Sequence, residues 1–131
     1  MSPKRRLAHI TLLVPDYDAG LRFFVDTLGF DLLEDTRLTP AKRWVRVAPP
    51  GAETALLLAK ADTPAQHAAT GNQTGGRVAF FLETDDFARD HAAMVEKGVH
   101  FLEAPRVEAY GTVAVFEDPF GNRWDLIQPA P

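Results

Sequence analysis

The sequence predicts an α+β fold, built as two β-α-β-β-β modules in tandem that form a curved mixed sheet with a concave pocket. Three observations carry this. A stretch beginning at His9, HITLLVPDYDAGLRFFVDTLGFDLLED, has a counterpart beginning at Val78, VAFFLETDDFARDHAAMVEKGVHFLEA. Each passes from a β-rich run through an acidic turn into an amphipathic helix, with Gly29 and Gly98 in matching places after it. Strand-like segments then follow each helix: 30–35, 43–48 and 54–59 in the first half, and 100–107, 112–117 and 123–128 in the second.

The elements follow in order from local physics. Residues 8–14 alternate, with Ile10, Leu12 and Val14 as the apolar set expected to pack on the helices. Asp16 after Pro15 suits a helix N-cap, because its carboxylate accepts hydrogen bonds from unpaired helix amides. Leu21, Phe24, Val25 and Leu28 recur at helical spacing as one buried stripe, and Gly29 suits the left-handed position that ends a helix. In the second half Thr84 or Asp85 is expected to cap, Phe87, His91, Met94 and Val95 form the stripe, and Gly98 stops it. APPGAE (48–53) and DPFGN (118–122) read as tight turns between strands. The polar segment 60–76, KADTPAQHAATGNQTGG, reads as a linker. Each half is too short to be a usual domain. The chain is therefore expected to be a single domain over 1–131, with modules at about 7–59 and 77–128 sharing one core.

Bulk properties exclude several classes. The net charge of −4 gives no nucleic-acid footprint, and the short basic run Pro3–Arg6 reads as a solvated tail. There are no cysteines, which removes disulfides, thiolate metal sites and a cysteine nucleophile and fits a cytoplasmic location. No stretch approaches the roughly 20 apolar residues of a membrane span, and no signal peptide is expected.

The segments HITLLVPD (9–16), FFVDTLGF (23–30), RWVRVAPPG (43–51), GGRVAFFLETDD (75–86) and VFEDPFGNRWDLIQP (115–129) together resemble the vicinal oxygen chelate superfamily. That group includes glyoxalase I, extradiol dioxygenases, fosfomycin-modifying enzymes and bleomycin-binding resistance proteins. The resemblance spans about residues 7 to 128, with LGF after the first helix and DPxGN before the last strand as its most specific parts.

The resemblance implies a divalent metal (Zn, Ni, Mn or Fe) on the concave face, or none. His9 stands where the family places its first ligand, and Asp125 matches a late carboxylate that is more often Glu. The other two positions depart from the pattern. Arg77, Val78, Ala79 and Phe80 occupy the window that usually supplies a second His, and Leu57 lies near the expected late ligand of the first module. His67 and His100 read as surface residues and His91 as helix packing. The structural alternative for Asp125 is an ion pair with Arg46, Arg77 or Arg123, since an unpaired buried charge is costly.

If His9 faces the pocket, so do Thr11 and Leu13. Val45 and Val47 then face the helix, leaving Trp44 and Arg46 toward the pocket. Arg123 shares the face of Asp125, Trp124 points the other way as core, and Tyr110 sits on a loop beside the mouth. Trp44, Arg46, Tyr110 and Arg123 are the expected substrate-binding residues, around a small, flat or partly anionic organic molecule. Two functions follow from the resemblance. One is a metal-dependent lyase of glyoxalase type, or less readily an extradiol dioxygenase, with catalytic residues unassigned. The other is a metal-free protein that sequesters a drug-like molecule. Exposed strand edges, together with the family's habit, point to a homodimer in either case.

Overall fold

The computed structural model describes residues 4–131. The chain divides into two compact units, the first ending at His67 and the second starting at Ala68. In the first, β1 (His9–Val14), β2 (Asp31–Arg37), β3 (Arg43–Ala48) and β4 (Ala55–Lys60) make a sheet in the order β1-β4-β3-β2. Strand β1 runs parallel to β4 and the other pairs are antiparallel. Between β1 and β2 lies helix α1 (Tyr17–Leu21), which runs on as a π-helical segment (Arg22–Thr27).

In the second unit, β5 (Val78–Glu83), β6 (His100–Phe101), β7 (Arg106–Glu108), β8 (Gly111–Glu117) and β9 (Arg123–Pro129) follow the same plan, in the order β5-β9-β8-β6 with β7 also on β8. Strand β5 is parallel to β9, and the crossover helix is α3 (Phe87–Glu96). Reading each unit by its main strands gives first, fourth, third, second both times, which is the repeat expressed as topology. A short helix α2 (Pro64–Ala69) forms inside the polar segment 60–76. Of the run Pro3–Arg6, Pro3 lies outside the described residues; Lys4, Arg5 and Arg6 are exposed, and Arg6 Nη1 donates to the Glu53 carbonyl at 2.9 Å.

Asp16 caps α1 as expected, its Oδ1 accepting from Asp18 N at 3.0 Å. The buried stripe differs from the expected one. Tyr17, Gly20, Phe23 and Phe24 are buried, while Leu21, Val25 and Leu28 are only partly covered. The cause is the wider turn, closed by Leu28 N donating to the Phe23 carbonyl five residues back, which rotates both phenylalanines inward. Gly20 permits close packing: a Cβ there would lie 2.8 Å from Leu58 Cδ1 on β4. Leu12, Val14, Phe24, Val45, Val47 and Leu58 fill this core, whereas Ile10, at the strand's start, stays 39% exposed.

The second unit brings three further corrections. The cap of α3 is Asp86, accepting from Arg89 N at 3.0 Å, rather than Thr84 or Asp85. Thr84 instead accepts from Asp86 N and donates to Asp90, so it fixes the turn that presents the cap. Phe87, His91 and Met94 form the inner stripe, but Val95 is 52% exposed because the following turn swings Val99 into the core in its place. The expected strand 100–107 is interrupted. Pro105 offers no N–H to a ladder, and Glu103 Oε1 accepts from Val115 N at 3.1 Å in place of a backbone carbonyl. His91 lies between Phe87 and Phe101, at ring-centroid distances of 5.3 and 4.4 Å, which is a packing role.

Candidate functional site

Strand alternation gives the sheet of the first unit two unlike faces. Leu12, Val14, Val45, Val47 and Leu58 turn to α1. Register places His9 beside Ala55, Thr11 beside Leu57 and Leu13 beside Ala59 on the opposite face, and Leu57 beside Arg46. A cavity of about 580 Å³ is lined by Thr11, Leu13, Trp44, Leu57 and Ala59 from that face and by Tyr17 and Leu58 from the α1 side. Its volume falls in the range of small-molecule sites, roughly 300–1,000 Å³. His9 meets the Trp44 ring edge to face, with centroids 5.8 Å apart at 83°.

Of the expected binding residues, Trp44 lines this cavity and Arg46 does not. Arg46 Nε donates to Glu34 Oε1 at 3.2 Å, its cross-strand neighbour on β2, so its charge is used within the sheet. Arg43 lines the cavity instead and is held firmly. It donates to Asp18 Oδ1 at 2.9 Å and to Asp35 Oδ2 at 2.7 Å, and its guanidinium lies 5.3 Å from the centre of the Tyr17 ring. The hydrogen bond to Arg43 holds the Asp35 carboxyl below its ordinary range.

In the second unit Asp125 lies between Phe81 on β5 and Val115 on β8, on the face opposite Trp124 and Leu126. None of the arginines expected to pair with it does so. Arg123 Nη1 donates to the Gly76 carbonyl, and Arg46 is taken by Glu34. The guanidinium whose field reaches Asp125 is that of Arg106, which is itself paired to Glu103 at 2.9 Å and to Glu108 at 3.0 Å. Tyr110 is 55% exposed in the turn before β8 and, after Glu103, helps hold the Arg106 guanidinium charged.

Two buried side-chain polar atoms among the described residues lack a hydrogen-bond partner: His9 Nδ1 and Asp125 Oδ1. Such atoms cost stability unless something pairs with them. Burial pushes the Asp125 carboxyl up from 3.8; the Arg106 charge opposes this, and the Glu103 charge adds to it. The folded protein therefore binds this proton more tightly than the unfolded chain. Stability is lost as pH rises through the folded value, and above it the carboxylate is a net cost. Asp125→Asn in chelator-treated protein is expected to raise the melting temperature at pH 7, the gain in unfolding free energy being about 1 kcal/mol or less given its partial exposure. The gain should vanish below the ordinary value of 3.8. Scanning calorimetry at the two pH values checks this; a lower melting temperature at pH 7 contradicts it.

The turn before β9 is a different kind of carboxylate site. Asp118 is 3% exposed. Its Oδ1 accepts from the amides of Phe120, Gly121 and Asn122 at 3.0–3.1 Å. Its Oδ2 accepts from Asn122 Nδ2 at 2.9 Å and from Trp124 Nε1 at 3.1 Å. Burial raises its pKa, while these donors pull the other way. Against this turn packs Gly71, at φ +75°, where a Cβ would fall 1.8 Å from the Phe120 carbonyl oxygen.

The resemblance implies a divalent metal. Among the described residues no group of three or more His, Asp and Glu side chains is gathered to hold one. Catalytic zinc takes three protein ligands, so the donor set does not fit such a centre.

Comparison with known proteins agrees with the architecture. A family model described as the Glyoxalase/Bleomycin resistance protein/Dioxygenase superfamily matches residues 6–126. An uncharacterized protein of Shewanella frigidimarina is 53% identical over 127 residues, covering 95% of this chain and 94% of that one. TnmS3, an antibiotic binding protein from Streptomyces sp. CB03234, is 33% identical with a TM-score of 0.80, covering 99% of this chain and 100% of that one. A superfamily member from Sphaerobacter thermophilus is 29% identical with a TM-score of 0.74, covering 95% and 98%. The doubled strand order, the DPFGN turn and a match running from before β1 into β9 lead to one placement: this chain belongs to the glyoxalase/bleomycin resistance protein/dioxygenase superfamily.

Proposed function

We propose that the protein binds a small, largely apolar organic molecule without a metal, as a sequestering protein. The observation that carries this is the cavity beside the first sheet, walled by Trp44, Leu57, Leu13 and Tyr17. Aromatic and aliphatic walls supply burial, and a few polar groups at the rim set orientation. The likeness to TnmS3, an antibiotic binding protein, supports the same reading.

Screening a library of drug-like aromatics by thermal shift tests it. A compound specific for the folded state is expected to stabilise by roughly 2.7 kcal/mol at a hundredfold excess over its Kd, with no loss on adding EDTA. A library that leaves the melting temperature unmoved counts against sequestration.

A second reading is favoured by the unpartnered His9 Nδ1 and Asp125 Oδ1. It keeps each of them singly as a candidate donor to a divalent ion, the chemistry a lyase of glyoxalase type would need. Elemental analysis of protein purified without chelator decides between the readings. Stoichiometric metal that disappears in His9→Ala favours the enzyme; metal-free protein that still binds the library compound favours sequestration.

A further inference from the structure

The charges around the cavity narrow the class of molecule it takes. The chain as a whole is acidic, with 18 Asp and Glu against 14 Lys and Arg. The cavity reverses this balance: its charged side chains are Lys42, Arg43, Lys60 and Asp62. Arg43 is already matched by Asp18 and Asp35. Lys42 and Lys60 stand in none of the ion pairs found among the described residues, although both line the cavity. Their positions are fixed by backbone even though their side chains are long. Lys42 is pinned in the turn between β2 and β3, its N–H donating to Thr39 Oγ1 at 3.0 Å and its carbonyl accepting from Leu38 N at 2.8 Å. Lys60 closes β4 in register with Val14.

We infer that the occupant is a planar apolar molecule bearing one anionic group, a carboxylate or a phenolate, with the ring system against Trp44 and Leu57 and the anion between Lys42 and Lys60. This rests on the cavity being the binding site. An aromatic wall favours a flat partner, by stacking or by edge contact. Two ammonium groups with no carboxylate engaged offer six N–H donors against the single Asp62 carboxylate on the same lining, a balance that favours an anion over a cation. Next to low-dielectric walls that preference exceeds what the same charges give in bulk water.

Three probes of one shape and different charge test the inference by isothermal titration calorimetry: naphthoate, naphthamide and naphthylmethylammonium. Naphthoate is expected to bind the wild-type protein about tenfold tighter than naphthamide, with naphthylmethylammonium weakest, and the gap should shrink as salt rises. In the K42A/K60A double variant naphthoate affinity is expected to fall to that of naphthamide in the wild type. Equal binding of naphthoate and naphthamide, or a preference that survives the double substitution, overturns the anionic assignment and leaves the cavity standing as the site. Failure of all three probes to bind overturns the cavity reading, and this inference with it.

Discussion

Asp118→Ala is expected to cost about 3–5 kcal/mol of stability, the figure that accompanies removal of a buried charge from donors arranged around it. Its two oxygens accept five hydrogen bonds, three from successive backbone amides and two from Asn122 and Trp124, both 3% exposed. Alanine leaves all five donors facing a space with no acceptor. Water can reach the tip of the turn but not the Trp124 indole, which lies against Phe80 and Phe116. Asp118→Asn should cost less. Its carbonyl can keep the three amide bonds, and Asn122 can turn its own oxygen toward the new amide, but the indole N–H then meets another donor. Urea unfolding measures both. The expected order of midpoints is wild type, Asn, Ala, at an unchanged slope. An alanine variant within 0.5 kcal/mol of wild type, a margin typical of ordinary surface changes, contradicts the network's role.

Trp44→Ala is expected to weaken ligand binding at least about thirtyfold, or about 2 kcal/mol, as for aromatic anchors in binding sites generally. The residue sits on β3 with its backbone in register with Thr36 and its side chain on the cavity wall. It is not part of the core, where Val45 and Val47 are fully covered. Stability should therefore change little while affinity collapses. Trp44→Phe should retain most of the binding, because a ring remains. Titration calorimetry with the tightest library compound separates these outcomes, and an alanine variant of unchanged affinity removes Trp44 from the site. His9 adds a further check, since its imidazole meets the Trp44 ring edge to face and helps fix its rotamer.

Much of this was legible in the sequence, and the reasons are physical. Period-two alternation assigns faces without knowledge of neighbours, so Thr11, Leu13 and Trp44 on one face and Leu12, Val14, Val45 and Val47 on the other follow from β1 and β3 alone. The doubled pattern gives the succession of elements in each half, while the order in which the strands pair is seen only in the sheets. Pairing between distant side chains is what alternation cannot convey. Arg46 and Glu34 meet because β2 and β3 share a register that includes an irregularity between Leu32 and Glu34. Arg106 was hidden because 100–107 reads as one strand until the Glu103 carboxylate takes the place of a backbone acceptor. The π-helical turn that buries Phe23 leaves no mark on apolar spacing. At the start of α3 Thr84, Asp85 and Asp86 are all able to cap, and only the backbone selects Asp86. Lys42 and Lys60 were missed for the simplest reason: a lysine at a turn or a strand end looks like any solvated surface residue until a cavity is seen beside it.

The lining of the cavity is drawn wholly from Thr11 to Gln66, whereas the Asp118 network and its Gly71 buttress belong to the other copy. Substitutions in the cavity wall and substitutions in the Asp118 network therefore fall in different units and share no partner, so their effects on unfolding free energy are expected to sum.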